Sequence, residues 1–148
     1  MTKTFKGRPV LTGNVEGKAV VSHVGFNTCA SYLGLVFGGE KSGVCMDHDN
    51  KDLYLKDLKD TILCIPQSIG STTAPTMFVA LCEYDIAPKV ILFANHIDSL
   101  AATGLLMGDT WVNHRIVTID MLGQEFLDTV KTGDTLKVYE DGTVEIQN

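Results

Sequence analysis

Apolar and polar positions follow two patterns along this chain, and the change comes near residue 60. Before it, short β-like runs, Arg8-Pro9-Val10-Leu11 and Lys18-Ala19-Val20-Val21, are separated by Gly13, Asn14 and Gly17. Gly34, Gly38, Gly39 and Gly43 punctuate a second stretch, which predicts extended chain and tight turns up to about residue 60. After Lys59 the run Thr61-Ile62-Leu63-Cys64-Ile65, closed by Pro66, reads as a short buried strand. A polar turn over 67–71 leads to a helix over 73–84, with Pro75 in the first turn, where its missing N–H costs nothing. Met77, Phe78, Leu81 and Cys82 mark one buried face of that helix. A strand follows over 89–94, then a second helix capped by Asn95 or Asp98, running through Leu106 and stopped by Gly108. The pattern closes with a strand over 115–120, a short helix over 123–131 and a hairpin over 136–146 turned at Asp141-Gly142.

Strand, helix, strand, helix, strand implies a small parallel sheet with right-handed crossovers. The β-rich first third and the final hairpin then need a second sheet, antiparallel or barrel-like. The expected fold is α/β in three layers, sheet on sheet on helices, with the helices on one side. No repeat, low-complexity tract or linker divides the chain, so one domain over 1–148 is expected.

Composition narrows the class. At 45% hydrophobic and 20% charged, the 148 residues are too apolar for disorder. Eighteen acidic against twelve basic residues give a net charge of −6. A partner such as nucleic acid or an anionic membrane would need a basic face. Apolar runs such as residues 90–94 fall far short of the roughly 20 residues that span a bilayer. The first ten residues hold no apolar signal core, so a cytoplasmic location is expected.

No two of the four cysteines, Cys29, Cys45, Cys64 and Cys82, have the close spacing of a zinc knuckle or redox motif. They read as reduced thiols, with Cys64 and Cys82 as small core residues. Cys45 and His48 form only a weak Cys-x-x-His signal, and no metal site is expected on this chain.

Ligands of open α/β sheets collect beyond the carboxyl ends of parallel strands. Two such ends are Gln67-Ser68-Ile69-Gly70-Ser71-Thr72-Thr73 and Asn95-His96-Ile97-Asp98. In the first, hydroxyl side chains and a glycine precede a helix start, where free N–H groups and the helix dipole favour a carboxylate or phosphate. The same residues also suit a plain helix cap. The turn is neither a Walker loop nor a nucleophile elbow, and a serine without an adjacent base is a weak nucleophile and base. His96 suits a general acid, a phosphoryl acceptor or a capping residue. Arg8 suits a carboxylate clamp or a solvated position. Beside a catalytic reading stand a phosphocarrier swivel domain using His96 and a non-catalytic anion-binding module.

As a set, several segments resemble the small subunit of aconitase X, the swivel-domain part of a dehydratase family. They are Gly7-Arg8, Gly13, residues 17–22, Gly38-Gly39 with Ser42-Gly43, the block ending Gly70-Ser71-Thr72, and Ala87-Pro88-Lys89 leading to Ala101-Ala102-Thr103-Gly104. The resemblance runs in order from about residue 5 to 120. It implies a swivelling β/β/α domain that docks on a large subunit as a heterodimer, with an iron–sulfur cluster or mononuclear iron on that partner and no cofactor on this chain. It implies a hydro-lyase, inactive without its large subunit, that dehydrates a small hydroxy acid. Ser71 matches the family's proton-abstracting serine. Thr72 and Thr73 are then expected to hold a substrate carboxylate, with Ser68 and Gly70 in the same turn and Asn95, His96 and Arg8 lining or gating the cleft. The chain departs from the family where Glu40-Lys41 replaces a Val-Asp-Pro segment, and where Gln67-Ser68-Ile69 lacks basic residues. The second departure favours cis-3-hydroxy-L-proline or another unphosphorylated hydroxy acid over phosphomevalonate.

Overall fold

A strand covered on both faces is built from an unbroken apolar run, while a strand with one wet face alternates apolar and polar residues. Both kinds occur here, and they separate the layers. The computed structural model describes residues 2–147. In chain order the elements are β1 (Thr2–Lys6), β2 (Arg8–Leu11), β3 (Val15–Val21), β4 (Phe26–Asn27), α1 (Thr28–Ser31), α2 (Leu33–Val36), β5 (Ile62–Ile65) and β6 (Ser68–Ile69). Then come α3 (Ala74–Glu83), β7 (Val90–Phe93), α4 (Ser99–Trp111), β8 (Val117–Asp120), α5 (Gln124–Thr129), β9 (Thr135–Val138) and β10 (Thr143–Gln147).

Every residue of β5, β7 and β8 is buried. These strands pair in parallel with one another and with β3, and β2 closes that edge antiparallel to β8. In contrast, β9 and β10 alternate buried with half-buried residues and form an antiparallel hairpin between β3 and β1. The two expected sheets are therefore one ladder, in the order β1-β10-β9-β3-β5-β7-β8-β2. They are joined through β3, whose residues Val15 to Lys18 pair with β9 and Ala19 to Val21 with β5. Burial along β3 changes at the same point, from alternating to continuous.

Two apolar clusters fill the spaces between layers. Leu63, Ile65, Ile91 and Phe93 cluster with Phe78 and Leu81 of α3 and Ala101 and Leu105 of α4. Ile62, Cys64, Val90 and Leu92 cluster instead with Leu136, Val138, Val144 and Ile146 of the outer strands and with Phe126 of α5. Each fully buried Leu, Ile or Phe contributes about 1.5–3 kcal/mol, so the twice-covered middle layer is where stability concentrates. No helix among the described residues is long and apolar enough to cross a membrane.

The local differences from expectation have physical causes. Gly108 does not stop α4, which runs on to Trp111. A Cβ on Gly108 would lie 2.7 Å from Cys82 Sγ, and one on Gly104 would lie 2.8 Å from Pro75 Cα. These glycines, one turn apart, form the seam where α4 meets α3. The actual stop is Asn113 at φ 56°, a left-handed position that Asn tolerates, with the His114 amide turned back to the Gly108 carbonyl. Asp98 rather than Asn95 caps α4, accepting from the Ala101 amide at 3.0 Å. The strand expected from 115 begins at Val117, because Arg115 turns away to Asp109. The first third also contains α1 and α2, single turns too short to display a helical period.

Candidate active site

The carboxyl ends of β5, β7 and β8 are tied together by main-chain hydrogen bonds. The Asn95 amide donates to the Pro66 carbonyl, and the Met121 amide donates to the Asn95 carbonyl, both at 3.1 Å. Residues expected to carry chemistry lie along this edge in two groups.

The first group surrounds Ser71. Ser68 and Ile69 of β6 pair in parallel with Phe26 and Asn27 of β4. Gly70 follows at φ 102°, and a Cβ there would lie 2.6 Å from Asn27 Cγ. Glycine alone adopts that angle freely and leaves room for Asn27, whose Oδ1 caps α1 by accepting from the Ala30 amide at 3.0 Å. The turn brings Ser71, Thr72 and Thr73 to the exposed surface just before α3. Thr73 donates its amide to Ser71 Oγ at 3.2 Å, and the Ala74 amide donates to the Ser71 carbonyl at 3.1 Å. The expected cap is not formed by a side chain. Instead Thr73 Oγ1 lies 2.9 Å from Ser71 Oγ and 3.0 Å from Cys29 Sγ. Ser68, Gly70, Ser71, Asp98 and Leu100 line a cleft of about 230 Å³. Asp98 reaches it from the cap of α4, and its Oδ1 is buried without a hydrogen-bond partner among the described residues.

The second group surrounds Asp120, the last residue of β8. Arg8 stands opposite it across the β2–β8 pairing and holds both carboxylate oxygens. The Asp120 carboxylate in turn raises the Arg8 guanidinium above its ordinary pKa. His96 completes the group, with Nε2 3.3 Å from Arg8 Nη2 and Nδ1 2.6 Å from the Ile97 carbonyl. An arginine nitrogen only donates and a carbonyl only accepts, so the proton sits on Nδ1 and the Nε2 lone pair faces Arg8. Neither ring nitrogen is left free in this arrangement. Asn95 is exposed beside this group and joins the edge through its main chain.

Sequence reasoning did not assign Cys29 or Asp120 to the site. Asp120 had a signal, a carboxylate ending the apolar run Ile116-Val117-Thr118-Ile119. Cys29 had none, since its contact with Thr73 spans 44 residues.

Within the glycine-rich loop over 38–43, Lys41 packs at the end of α3 away from Ser71. Lys41 Nζ sits 4.2 Å from the Tyr84 ring centroid, at the carboxyl end of α3. The ten residues of α3 put that about 15 Å from the Ser71 end.

The described residues do not assemble a site that fits an iron centre. Among the described residues, no three His, Cys, Asp or Glu side chains gather as a metal site would require. Cys45, Cys64 and Cys82 are buried. Burial pushes the Cys82 thiol up to about 11 and raises Cys64 as well. His48 stacks on Tyr54, with ring centroids 4.4 Å apart.

Comparison with known proteins shows the family. The family model described as "Aconitase X swivel domain" matches residues 4–146. The phosphomevalonate dehydratase small subunit of Methanocaldococcus jannaschii is 30% identical over 145 residues, covering 97% of this chain and 98% of that protein. The protein of the same name from Methanocella arvoryzae is 30% identical over 142 residues, covering 96% of each. The crystal structure of Thermococcus kodakaraensis aconitase X in its holo form superposes with a TM-score of 0.82 at 25% identity, covering 99% of both chains. The family match over residues 4–146, these relatives and the shared fold place the chain in the aconitase X swivel-domain family, as the small subunit of an aconitase X-type dehydratase.

Proposed function

We propose that Ser71 is the base of a cytoplasmic hydro-lyase formed by this chain and a large subunit. It takes a proton from the carbon beside a hydroxyl-bearing carbon of a small hydroxy acid, so that water is lost. The observation that carries this reading is the Ser71 hydroxyl at the cleft, held by the amide and hydroxyl of Thr73. Negative charge on Ser71 Oγ as its own proton leaves, which is what lets an alcohol act as a base, is stabilised there by the Thr73 N–H and by the positive end of α3. Thr72 and the free face of the turn are open to a substrate carboxylate. Because Ser71 is exposed in this chain, proton abstraction from carbon needs a partner that excludes water. Val24 and Ile69, apolar yet 48% and 46% exposed, suit burial under that large subunit. The iron–sulfur cluster or mononuclear iron implied by the resemblance belongs, in this reading, to the large subunit, where it would polarise the substrate's hydroxyl and carboxylate. Four unpaired cysteines suit the reducing cytoplasm.

Charge selects the substrate. Residues 67–73 hold no Lys or Arg, and no residue lining the cleft is basic. Arg8, at the neighbouring strand end, is already engaged by Asp120. These features favour an unphosphorylated hydroxy acid such as cis-3-hydroxy-L-proline. The names of the relatives favour phosphomevalonate, in which case the large subunit would supply the cations for its phosphate. A phosphocarrier role for His96 is disfavoured, because both of its nitrogens are engaged.

Anaerobic co-expression with the large subunit, followed by dehydration assays on a panel of hydroxy acids, tests the reading. Turnover of an unphosphorylated acid supports the proposal in full, and turnover of phosphomevalonate alone replaces the substrate while keeping the reaction. An assembled pair that dehydrates nothing in the panel would favour an anion-binding module.

A further inference from the structure

Asp98 lines the same cleft, but the side-chain hydrogen bonds of Ser71 Oγ among the described residues are to Thr73 and not to a carboxylate or imidazole. An unassisted alcohol is a weak base. What Ser71 has is a continuous chain of hydrogen-bonding atoms. Ser71 Oγ lies 2.9 Å from Thr73 Oγ1, and Thr73 Oγ1 lies 3.0 Å from Cys29 Sγ. Two features set the Thr73 and Cys29 links apart from a side-chain cap of α3. The Thr73 side chain makes no capping hydrogen bond to α3, although Thr is well suited to make one. Cys29 is held from a different element, the first turn of α1, whose start is fixed by Asn27. Asn27 is the residue against which Gly70 is packed, so the Ser71 turn and the α1 turn are set by one contact. Cys29 is also the single cysteine that is not buried.

We propose that Thr73 and Cys29 serve Ser71 as a proton relay, with Thr73 positioning the serine hydroxyl and Cys29 as the terminal acceptor. The proposal rests on Ser71 being the base. Thiols are much stronger acids than alcohols, so of the three groups the sulfur is the one able to hold negative charge as a stable anion. In the forward step the substrate C–H bond breaks and an O–H bond forms at Ser71 Oγ. The original Ser71 proton passes to Thr73 Oγ1, and the Thr73 proton passes to the Cys29 thiolate. The electron pair left on carbon forms the double bond as hydroxide departs. The Cys29 thiol then returns its proton to hydroxide through solvent, giving water and restoring the thiolate, so no further reactant is required. In this account Thr73 does not hold the substrate carboxylate, and the Thr72 side of the turn is left for that role.

The test uses the assembled pair with its best substrate, comparing Ser71→Ala, Thr73→Val, Thr73→Ser, Cys29→Ala and the Thr73→Val/Cys29→Ala double variant. The relay predicts that Thr73→Val and Cys29→Ala each lower kcat roughly tenfold or more while KM stays within about twofold. Thr73→Ser, which keeps the hydroxyl, returns kcat to within about threefold of wild type. The double variant is no slower than the slower single variant, because both break one chain. Alkylation of Cys29 by iodoacetamide in the isolated chain gives a readout separate from turnover. It should slow in Thr73→Val and recover in Thr73→Ser. If Ser71→Ala abolishes turnover while Thr73→Val and Cys29→Ala keep wild-type kcat, the relay is overturned and the base assignment stands. If Ser71→Ala retains turnover, both fall together.

Discussion

Arg8 grips Asp120 through two donors, Nε at 2.9 Å from Oδ1 and Nη2 at 2.6 Å from Oδ2, and only the arginine reaches solvent. The Arg8 side chain is 52% exposed and that of Asp120 is 0% exposed. Asp120 also accepts from the Ile97 amide at 2.8 Å, so one carboxylate ties β2, β8 and the loop after β7 together. Arg8→Ala leaves a buried carboxylate without its cation. Calorimetry should show a melting temperature lower by about 5 °C or more. Arg8→Lys should recover only part of that loss, since an ammonium cannot reproduce the planar two-point fork. An unchanged melting temperature in Arg8→Ala would show that the pair does not hold this edge.

The seam between α3 and α4 makes a second prediction. A Cβ at Gly104 meets the backbone of Pro75 at 2.8 Å and Phe78 Cβ at 2.9 Å, whereas one at Gly108 meets chiefly the Cys82 side chain. Backbone yields less readily than a side chain, so Gly104→Ala should cost about 1–3 kcal/mol by overpacking. Pro75 lies two residues beyond Thr73, so the strain reaches the Ser71 turn. Turnover should therefore fall further in Gly104→Ala than in Gly108→Ala, as paired kinetic and melting measurements would reveal.

Cysteine chemistry is the third. In the native isolated chain, a thiol reagent at pH 8 should modify Cys29 alone, and peptide mapping should find Cys45, Cys64 and Cys82 unmodified until denaturant is added. The three silent thiols are buried, with Cys82 pushed up to about 11 by burial and then by the nearby Asp109. Rapid native modification of Cys64 or Cys82 would contradict the packing of the two apolar clusters.

Acid stability supplies the fourth. Hydrogen bonds from Thr143, and the Lys6 ammonium 3.0 Å away, hold the Asp141 carboxyl down to about 2. In the unfolded chain an aspartate titrates near 3.9. The folded pKa is the lower one, so this group stabilises the fold above about pH 4, and its contribution is lost as pH falls through about 2. Asp141→Asn should lower the melting temperature by about 1–2 °C at neutral pH, a small effect because the pair is exposed. The gap from wild type should close between about pH 4 and pH 2. A gap that persists at pH 2 would show that the carboxylate charge is not its source.

Much of the fold was legible in the sequence because the middle layer announces itself. Unbroken runs such as Val90-Ile91-Leu92-Phe93 are what a doubly covered strand requires, and the Asp141-Gly142 turn fixes the outer hairpin. Less legible was the joining of the two sheets. In Val15-Glu16-Gly17-Lys18-Ala19-Val20-Val21 the pattern switches from alternating to continuous in mid-strand, and that switch is the joint. Single-turn helices such as α1 leave no period to detect. At the site, the Ser71 turn stood out as local chemistry between strand and helix. The partners of Thr73 and Arg8 did not, because Cys29 and Asp120 reach them across 44 and 112 residues of chain.

The central claim, that Ser71 is the base, is tested most directly by turnover of the assembled pair carrying Ser71→Ala. With complex formation and melting temperature unchanged, kcat should fall by about a hundredfold or more, and solvent deuterium should no longer exchange into the substrate's acidic carbon position. An intact Ser71→Ala complex that dehydrates and exchanges at the wild-type rate would contradict the account.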